Sequence, residues 1–244
     1  MTPAPAVGCR LAALAGQFEL PSAAVPALEA LLALGAVDPA APTAVRDPAD
    51  AVDRHVADSL VALDLRQATE ARLIADIGSG AGWPGLALAA ALPHARVVLV
   101  ESAVRHCRYL RRAVEASGLV NVAVVHARAE DWPQGIGAHD LVTARAVAAL
   151  PVLCEYAAPL LAEGGSLVAW KGAVSEEEAA DGRAAAEQVG LAPLEVRSVA
   201  PFPGARDRTL HVFGKIGATP SRFPRRPGMA TKRPLSAARA ASVG

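Results

Sequence analysis

The chain has 244 residues, of which 52% are apolar and 20% are charged. This composition is typical of a globular protein with a buried core and excludes a disordered chain. The longest apolar run, Leu86 to Leu92, is far shorter than the ~20 residues that span a bilayer. The first residues have no basic stretch followed by an apolar one, so we do not expect a secretory signal. The three cysteines are too few and too scattered for a disulfide framework or a zinc cluster. We therefore expect a cytoplasmic protein with no membrane segment and no metal site.

Charge is unevenly distributed along the chain. Basic and acidic residues number 24 each, but the segment from Ile216 to Gly244 has basic residues and no acidic ones. An acidic body with a basic tail predicts contact with a polyanion, and a solvated, flexible terminus accounts for the same composition. The basic residues of this segment are Arg222, Arg225, Arg226, Lys232, Arg233 and Arg239.

The first 70 residues predict a helical region. Residues 25–37 are apolar on most sides, and a second helix is expected from Pro48 to Gln67. Asp47 is a candidate N-cap for that helix, because proline is favoured at the first helical position that follows it. The apolar residues of the second helix recur at the spacing of a buried stripe, namely Val52, Val56, Leu60 and Leu63.

From Arg72 onward, predicted strands alternate with predicted helices. Strands are expected at residues 73–77, 97–100, 122–125, 140–143, 166–170, 194–199 and 209–215, and helices at residues 84–92, 104–117, 150–161 and 175–189. This alternation predicts an α/β fold with a mostly parallel sheet covered on both faces, and the last two strands should pair antiparallel. We expect a helical region (1–70), a nucleotide-binding domain (71–216) and a basic, flexible tail (217–244).

The most informative segment is the glycine-rich turn after the first strand, Gly78-Ser-Gly80-Ala-Gly82-Trp83-Pro84-Gly85. Glycines let a ligand approach the main chain closely, and in doubly wound sheets ligands lie beyond the carboxyl ends of the strands. A tight turn without a ligand is the alternative. Because three glycines at alternate positions exceed what a turn requires, we expect a ligand here.

Two nucleotide ligands are compatible with this loop. Gly80, Gly82 and Gly85 satisfy the dinucleotide pattern G-x-G-x-x-G, which would indicate a nicotinamide-dependent oxidoreductase. Gly78, Gly80 and Gly82 satisfy the alternate-glycine loop of S-adenosyl-methionine enzymes, with the first glycine directly after the strand. The carboxylate of Asp76 would repel a pyrophosphate and attract a sulfonium. These residues favour S-adenosyl-methionine.

Charged residues follow the neighbouring strands. Glu101 ends the second strand, where a carboxylate can accept hydrogen bonds from the ribose hydroxyls of either nucleotide. Ala129 and Glu130 follow the third strand, where an adenine edge would lie, and Arg145 follows the fourth. The alternatives are an exposed surface acid at Glu101 or Glu130 and a structural salt bridge at Arg145.

Segments spread from Thr43 to Leu235 together resemble one known family. They are Val45-Arg46-Asp47-Pro48, Arg54-His55-Val56-Ala57-Asp58-Ser59, the loop from Asp76 to Gly85, Thr143-Ala-Arg-Ala146, Lys171-Gly172, Arg208-Thr-Leu and Phe223-Pro-Arg-Arg-Pro-Gly228. On these segments the chain resembles the bacterial 16S rRNA guanine-N7 methyltransferases called RsmG or GidB. The Trp-Pro-Gly ending of the loop, the R-H-x-x-D-S helix and the P-R-R-P-G tail carry most of the specificity.

The resemblance implies a class I methyltransferase fold, Rossmann-like with a seven-stranded sheet, and S-adenosyl-methionine as cofactor. It implies 16S ribosomal RNA or the small ribosomal subunit as the partner, and we expect the protein to be a monomer. Arg145 is the candidate for positioning substrate or cofactor, and no other residue stands out as catalytic. Together the loop and the resemblance give expected cofactor contacts at Asp76, Gly78, Gly80, Gly82, Trp83, Glu101, Ala129, Glu130 and Arg145. The expected RNA contacts are Arg54, His55, Arg105, Arg225, Arg226 and Lys232.

Methyl transfer to guanine N7 does not require a general base. N7 has a free lone pair and no proton, so catalysis depends mainly on alignment and on stabilisation of the new purine charge. Two departures from the family pattern are Ala41-Pro42-Thr43, where the family has Asn-Leu-Thr, and Arg105-His106, where it has a basic pair. Methylation of a different RNA position and a non-enzymatic RNA-binding module are the remaining alternatives.

Overall fold

The computed structural model describes residues 5–237, with side chains from Val7 onward. The helices are α1 (Pro5–Gln17), α2 (Ala24–Val37), α3 (Pro48–Ala51), α4 (Asp58–Leu60), α5 (Arg66–Thr69), α6 (Gly85–Ala91), α7 (Val104–Ser117), α8 (Leu150–Ala157), α9 (Glu176–Gln188) and α10 (Met229–Lys232). The strands are β1 (Leu73–Ile77), β2 (Arg96–Glu101), β3 (Val122–His126), β4 (His139–Arg145), β5 (Leu161–Lys171), β6 (Leu191–Ser198) and β7 (Thr209–Lys215). Within this range, every helix is too short or too polar to span a bilayer.

All seven strands form one sheet in the order β3-β2-β1-β4-β5-β7-β6. Strands β1 to β5 are parallel, and β7 runs antiparallel to both β5 and β6. This confirms the predicted α/β fold, including the terminal antiparallel pair. The strand order reverses between β1 and β4, so the chain leaves these two strands in opposite directions and opens a crevice at their carboxyl ends.

The sheet separates two hydrophobic clusters. Successive side chains of a strand point to opposite faces. Ile74 accordingly belongs to the cluster that contains residues of α1, α2, α6 and α7, whereas Ala75 belongs to the cluster that contains residues of α8 and α9. The N-terminal helices therefore extend the core on one face of the sheet.

The predicted helix from Pro48 to Gln67 is interrupted. It begins as expected, with the carboxylate of Asp47 accepting hydrogen bonds from two backbone N–H groups of the first turn. Residues 52–57 then widen into a π-helical turn, residues 61–64 tighten into a 3₁₀ turn, and Leu65 is extended. A contact from outside the segment is made at the junction that follows the π-helical turn, where the indole N–H of Trp170 donates to the carbonyl of Asp58 at 2.7 Å.

The basic C-terminal segment, expected as a flexible tail, packs against the domain over its described part. Phe223 is buried in the cluster below α8, and Arg225 forms an ion pair with Glu155, which is 1% exposed. The backbone N–H of Gly228 donates to a carboxylate oxygen of Glu130 at 3.1 Å. Residues 238–244, including Arg239, lie outside the described residues.

Replacement of Arg225 by alanine should lower the free energy of unfolding by about 3 kcal/mol, because the buried Glu155 carboxylate then has no counter-charge. The exposed neighbour Arg226 provides the control, since Arg226→Ala should change the free energy by less than about 0.5 kcal/mol. Denaturant titration monitored by circular dichroism measures both. Equal destabilisation by the two variants would show that the ion pair does not anchor the segment.

Candidate active site

The glycine loop follows β1 and has the backbone conformation that its sequence predicts. Gly78, Gly80 and Gly82 have φ angles of +65°, +52° and +95°, which side-chain-bearing residues rarely adopt. A Cβ atom at Gly82 would lie 2.2 Å from the side chain of Leu86, so that glycine permits close packing of α6. At Gly80, by contrast, the nearest atom would be a backbone oxygen at 3.8 Å. Gly80 therefore faces open space, where a ligand can approach.

Asp76 holds this loop from below. Its side chain is 1% exposed, and it accepts hydrogen bonds from the hydroxyl of Thr143 at 2.8 Å and from the N–H of Gly85 at 3.4 Å. Burial raises the pKa of Asp76 to about 6, against the opposing effect of its hydrogen bonds. The carboxylate links the loop to β4. It does not line the cavity beside the loop, so it would stabilise the loop without contacting a ligand in that cavity.

Glu101 joins the loop to the helix that follows β2. One carboxylate oxygen accepts a hydrogen bond from the N–H of Gly80 at 3.0 Å, and the other accepts one from the N–H of Ala103 at 2.7 Å. The carboxyl end of β2 thus places a buried acid beside the open side of the loop. Each oxygen retains a lone pair that can accept a further hydrogen bond.

A cavity of about 400 Å³ lies beside Gly78, and we call it the glycine-loop cavity. The carboxyl ends of β1, β2 and β3 contribute to its wall, and Ala129 and Glu130 are on that wall as expected. The segment after β4 forms the opposite side. The remaining lining residues come from α8 and the C-terminal segment and include Tyr156, Thr231 and Pro234.

The C-terminal segment closes one side of this cavity, a role that the sequence analysis missed. The hydroxyl groups of Tyr156 and Thr231 form a hydrogen bond at 3.2 Å, close to the contact between Gly228 and Glu130. The basic composition of the segment indicated only RNA binding. The sequence around Gly228 and Thr231 did not indicate that these residues line a cavity, because their partners Glu130 and Tyr156 lie some 70 or more positions away.

Trp83, an expected cofactor contact, has its side chain elsewhere. The ring is 7% exposed and stacks on the imidazole of His55, with ring centres 5.5 Å apart and planes at 12°. It packs in the cluster that contains α2 and α6. The side chain of Trp83 thus fastens the glycine loop to the N-terminal helical region, outside the lining of the glycine-loop cavity.

Arg145 lines a second cavity, beside β4 and β5. Its guanidinium donates to the carboxylate of Asp58 at 2.8 Å and to the carbonyl of Arg54 at 3.1 Å. Ala146, the next residue, has a φ of +57°, a strained conformation that is common at functional sites. The expectation of a positioning role is consistent with this location, but the side chain lies outside the lining of the glycine-loop cavity.

Four of the segments that carried the family resemblance meet at this second cavity, which we call the Asp58 cavity. It has a volume of about 160 Å³, and Ala148 lines both it and the glycine-loop cavity, so the two are adjacent. The residues from the four segments are Asp58, Arg145, Ala146, Lys171, Gly172, Arg208 and Thr209. The sequence showed these segments only as separate motifs, and the fold brings them into one wall.

His55 is unsuited to bind phosphate as a cation. Burial lowers its pKa to about 4, and the adjacent positive charge of Arg145 adds to this effect. One ring nitrogen forms a hydrogen bond with the hydroxyl of Thr43 at 3.0 Å. At neutral pH His55 is therefore an uncharged stacking and hydrogen-bonding residue.

The other expected RNA contacts lie at the surface. Arg54, Arg105, Arg226 and Lys232 are exposed, while Arg225 is engaged with Glu155. Helix α7 also exposes arginines that the sequence analysis did not single out, namely Arg108, Arg111 and Arg112. Arg112 is paired with Asp38.

Comparison with known proteins identifies the family. The model of GidB, rRNA small subunit methyltransferase G, matches residues 40–206. The chain is 42% identical over 196 residues to the ribosomal RNA small subunit methyltransferase G of Rubrobacter xylanophilus, covering 78% of this chain and 75% of that protein. It is 42% identical over 198 residues to that of Chloroflexus aggregans, covering 79% of this chain and 82% of the relative. The chain belongs to the GidB family.

Solved structures confirm the fold that a GidB protein is expected to have. A protein of Agrobacterium tumefaciens described as a predicted O-methyltransferase aligns with a TM-score of 0.51 at 25% identity, covering 67% of this chain and 80% of the other. Fibrillarin, a pre-rRNA processing protein of Methanococcus jannaschii, aligns with a TM-score of 0.50 at 18% identity, covering 63% and 70%. The sheet is that of class I methyltransferases, and the oxidoreductase interpretation of the loop has no support.

His55 should remain neutral in the folded GidB chain down to about pH 4. A folded-state pKa below the unfolded value of about 6.5 means that acidification favours the unfolded chain, so this contribution to stability is lost as pH falls from about 6.5 to 4. The drop in unfolding free energy between pH 7.5 and 5 should therefore be smaller in His55→Asn than in the parent protein. Denaturant titration at both pH values measures it. An identical drop in both proteins would mean that His55 titrates normally.

Proposed function

We propose that this protein transfers a methyl group from S-adenosyl-methionine to N7 of a guanine in 16S ribosomal RNA. The observation that supports this most is the pair of adjacent cavities at the carboxyl edge of the sheet, one at the glycine loop and one at Asp58. They occur in a chain whose relatives are named ribosomal RNA small subunit methyltransferase G. The fold supports methyl transfer, and the family supports the RNA substrate.

The glycine loop and the cavity beside it together fit S-adenosyl-methionine. Gly80 and Glu101 lie outside the cavity lining but next to it along the chain. Gly80 leaves open the space that a Cβ would fill, and the Glu101 carboxylate beside it can accept hydrogen bonds from both ribose hydroxyls. Ala129 and Glu130 provide a wall for the adenine. When bound, the cofactor supplies the methyl group as part of a sulfonium. The described residues would hold it, with the C-terminal segment as one wall of the cavity.

The site is arranged for alignment, not for proton transfer. Guanine N7 presents a free lone pair in the neutral base, so the protein has no proton to remove before methyl transfer. The contribution of the chain is to hold the base and the methyl group in line in a partly closed site. Placing them on the two sides of Ala148, which lines both cavities, meets this requirement.

Exposed arginines provide for RNA binding. Those of α7, together with Arg54, Arg226 and Lys232, offer positive charge to the RNA backbone. An accessible N7 requires a loop or an opened helix, because side chains do not enter the major groove of A-form RNA. We expect the protein to act as a monomer in the cytoplasm, on 16S ribosomal RNA or the small subunit.

Gly80→Val should weaken S-adenosyl-methionine binding by at least about tenfold, or about 1.4 kcal/mol, because the new side chain would fill the open side of the loop. Gly118→Val is the matched control. Gly118 also has a positive φ, +67°, with no atom within 4 Å of its Cβ position, so it carries the same backbone strain at the end of α7. Isothermal titration calorimetry should show normal affinity for the control. Equal affinities in both variants would remove Gly80 from the cofactor site.

The methylated nucleoside should be 7-methylguanosine. The protein is incubated with S-adenosyl-methionine and unmodified 16S ribosomal RNA or small subunits, and the digested RNA is analysed by mass and by sensitivity to borohydride and aniline. Gly80→Val in the same assay shows whether the activity depends on the glycine loop. Methyl on a ribose, on N1 or N2 of guanine or on another base would refute the proposed target atom.

A further inference from the structure

Asp58 is a buried carboxylate with one oxygen held and the other unused. The side chain is 5% exposed, and Oδ2 accepts a hydrogen bond from Arg145 at 2.8 Å. Oδ1 is buried and receives no hydrogen bond from any described residue. The guanidinium Nε of Arg208 lies 3.8 Å from it, beyond hydrogen-bond distance. Leaving such an acceptor unsatisfied is costly, so a ligand that supplies a donor would be bound favourably.

The position of this carboxylate is fixed by its surroundings. Arg145 holds Oδ2, and the indole of Trp170 holds the backbone carbonyl of the same residue at 2.7 Å. Asp58 follows directly on the π-helical turn, a feature that often marks functional sites. Asp58 lines the Asp58 cavity together with Arg208, whose guanidinium is the charged group nearest to the unused oxygen.

We propose that Asp58 binds the Watson–Crick edge of the target guanine, accepting hydrogen bonds from N1–H and from the exocyclic N2 amino group. Guanine is the base that presents these two donors side by side, and an ionised carboxylate is an acceptor with two oxygens. Oδ1 takes one bond, and Oδ2, which has a second lone pair, takes the other. This inference rests on the proposed function and identifies the group that recognises the substrate base.

The orientation that follows suits methyl transfer to N7. In guanine, N1 and N2 lie on the six-membered ring, and N7 lies on the five-membered ring at the other side of the purine. A base held at Asp58 by its N1 and N2 edge therefore directs N7 away from Asp58. The Asp58 cavity borders the glycine-loop cavity at Ala148. N7 of the bound base would therefore face a methyl donor in the glycine-loop cavity.

The same contact should be stronger in the transition state than in the ground state. N7 donates its lone pair to the methyl carbon, the bond between sulfur and carbon breaks, and its electron pair stays on sulfur. Positive charge thereby moves from sulfur to the purine, which makes N1–H a better donor to the carboxylate. An interaction that strengthens in this way lowers the barrier and not only the ground-state free energy.

The test removes one donor from the base and one charge from the protein. 16S ribosomal RNA is assembled by splinted ligation with inosine, which lacks the N2 amino group, at the guanine that the parent protein methylates. We expect this RNA to be methylated with a kcat/KM at least about tenfold below that of the guanosine RNA, because a buried acceptor loses its donor. Asp58→Asn should lower kcat on the guanosine RNA and should lose most of the discrimination against inosine.

Asp53→Asn is the matched control, since Asp53 lies on the same helical segment but pairs with Arg10. It should retain the full discrimination, and calorimetry with S-adenosyl-methionine checks that both variants bind the cofactor. Equal methylation of guanosine and inosine RNA by the parent protein overturns the inference even if Asp58→Asn does not fold. So does an unchanged inosine penalty in a folded Asp58→Asn. Failure of the parent protein to methylate guanosine RNA at N7 would refute the proposed function instead.

Discussion

The buried ion pair between Asp58 and Arg145 is the contact on which the rest of the site depends. It joins the N-terminal helical region to the carboxyl end of β4, over 87 positions of sequence. Both partners are largely buried, so the loss of either would leave an uncompensated charge inside the protein. Each buried charge is therefore stable only when the N-terminal region packs against the sheet and brings Asp58 and Arg145 together. Their junction forms the wall of the Asp58 cavity.

Two further constraints set the shape of the adjoining cavity. The glycine loop takes its course because Asp76 below it and Glu101 beside it bind its backbone N–H groups. The C-terminal segment is held against α8 by the ion pair of Arg225 with Glu155 and lies across the open side. The two cavities thus have separate walls that meet at one small residue, Ala148. The proposed function places the substrate base in one cavity and the methyl donor in the other.

Sequence reasoning predicted the parts of the fold that depend on short-range pattern. The strands from β1 to β7 and the glycine loop were found because apolar periodicity and positive-φ positions are local properties. The interruption of the helix at residues 52–64 was not found, since an apolar stripe at helical spacing carries no information about contacts such as that of Trp170 with Asp58, 112 positions away. The packing of Arg225 was missed for the same reason, its partner being 70 positions away. Asp58 was part of a motif but had no assigned role, because the lack of a hydrogen-bond partner for its Oδ1 among the described residues is a property of the folded structure.

The proposed function requires the cofactor to occupy the glycine-loop cavity and to face the Asp58 cavity. A crystal structure of the protein with S-adenosyl-homocysteine would test this requirement. We expect the ribose hydroxyls on the carboxylate of Glu101, the adenine beside Ala129 and Glu130, and the sulfur at the border near Ala148, directed toward Asp58. A ligand that fills the Asp58 cavity, or a sulfur that points away from it, would refute this arrangement.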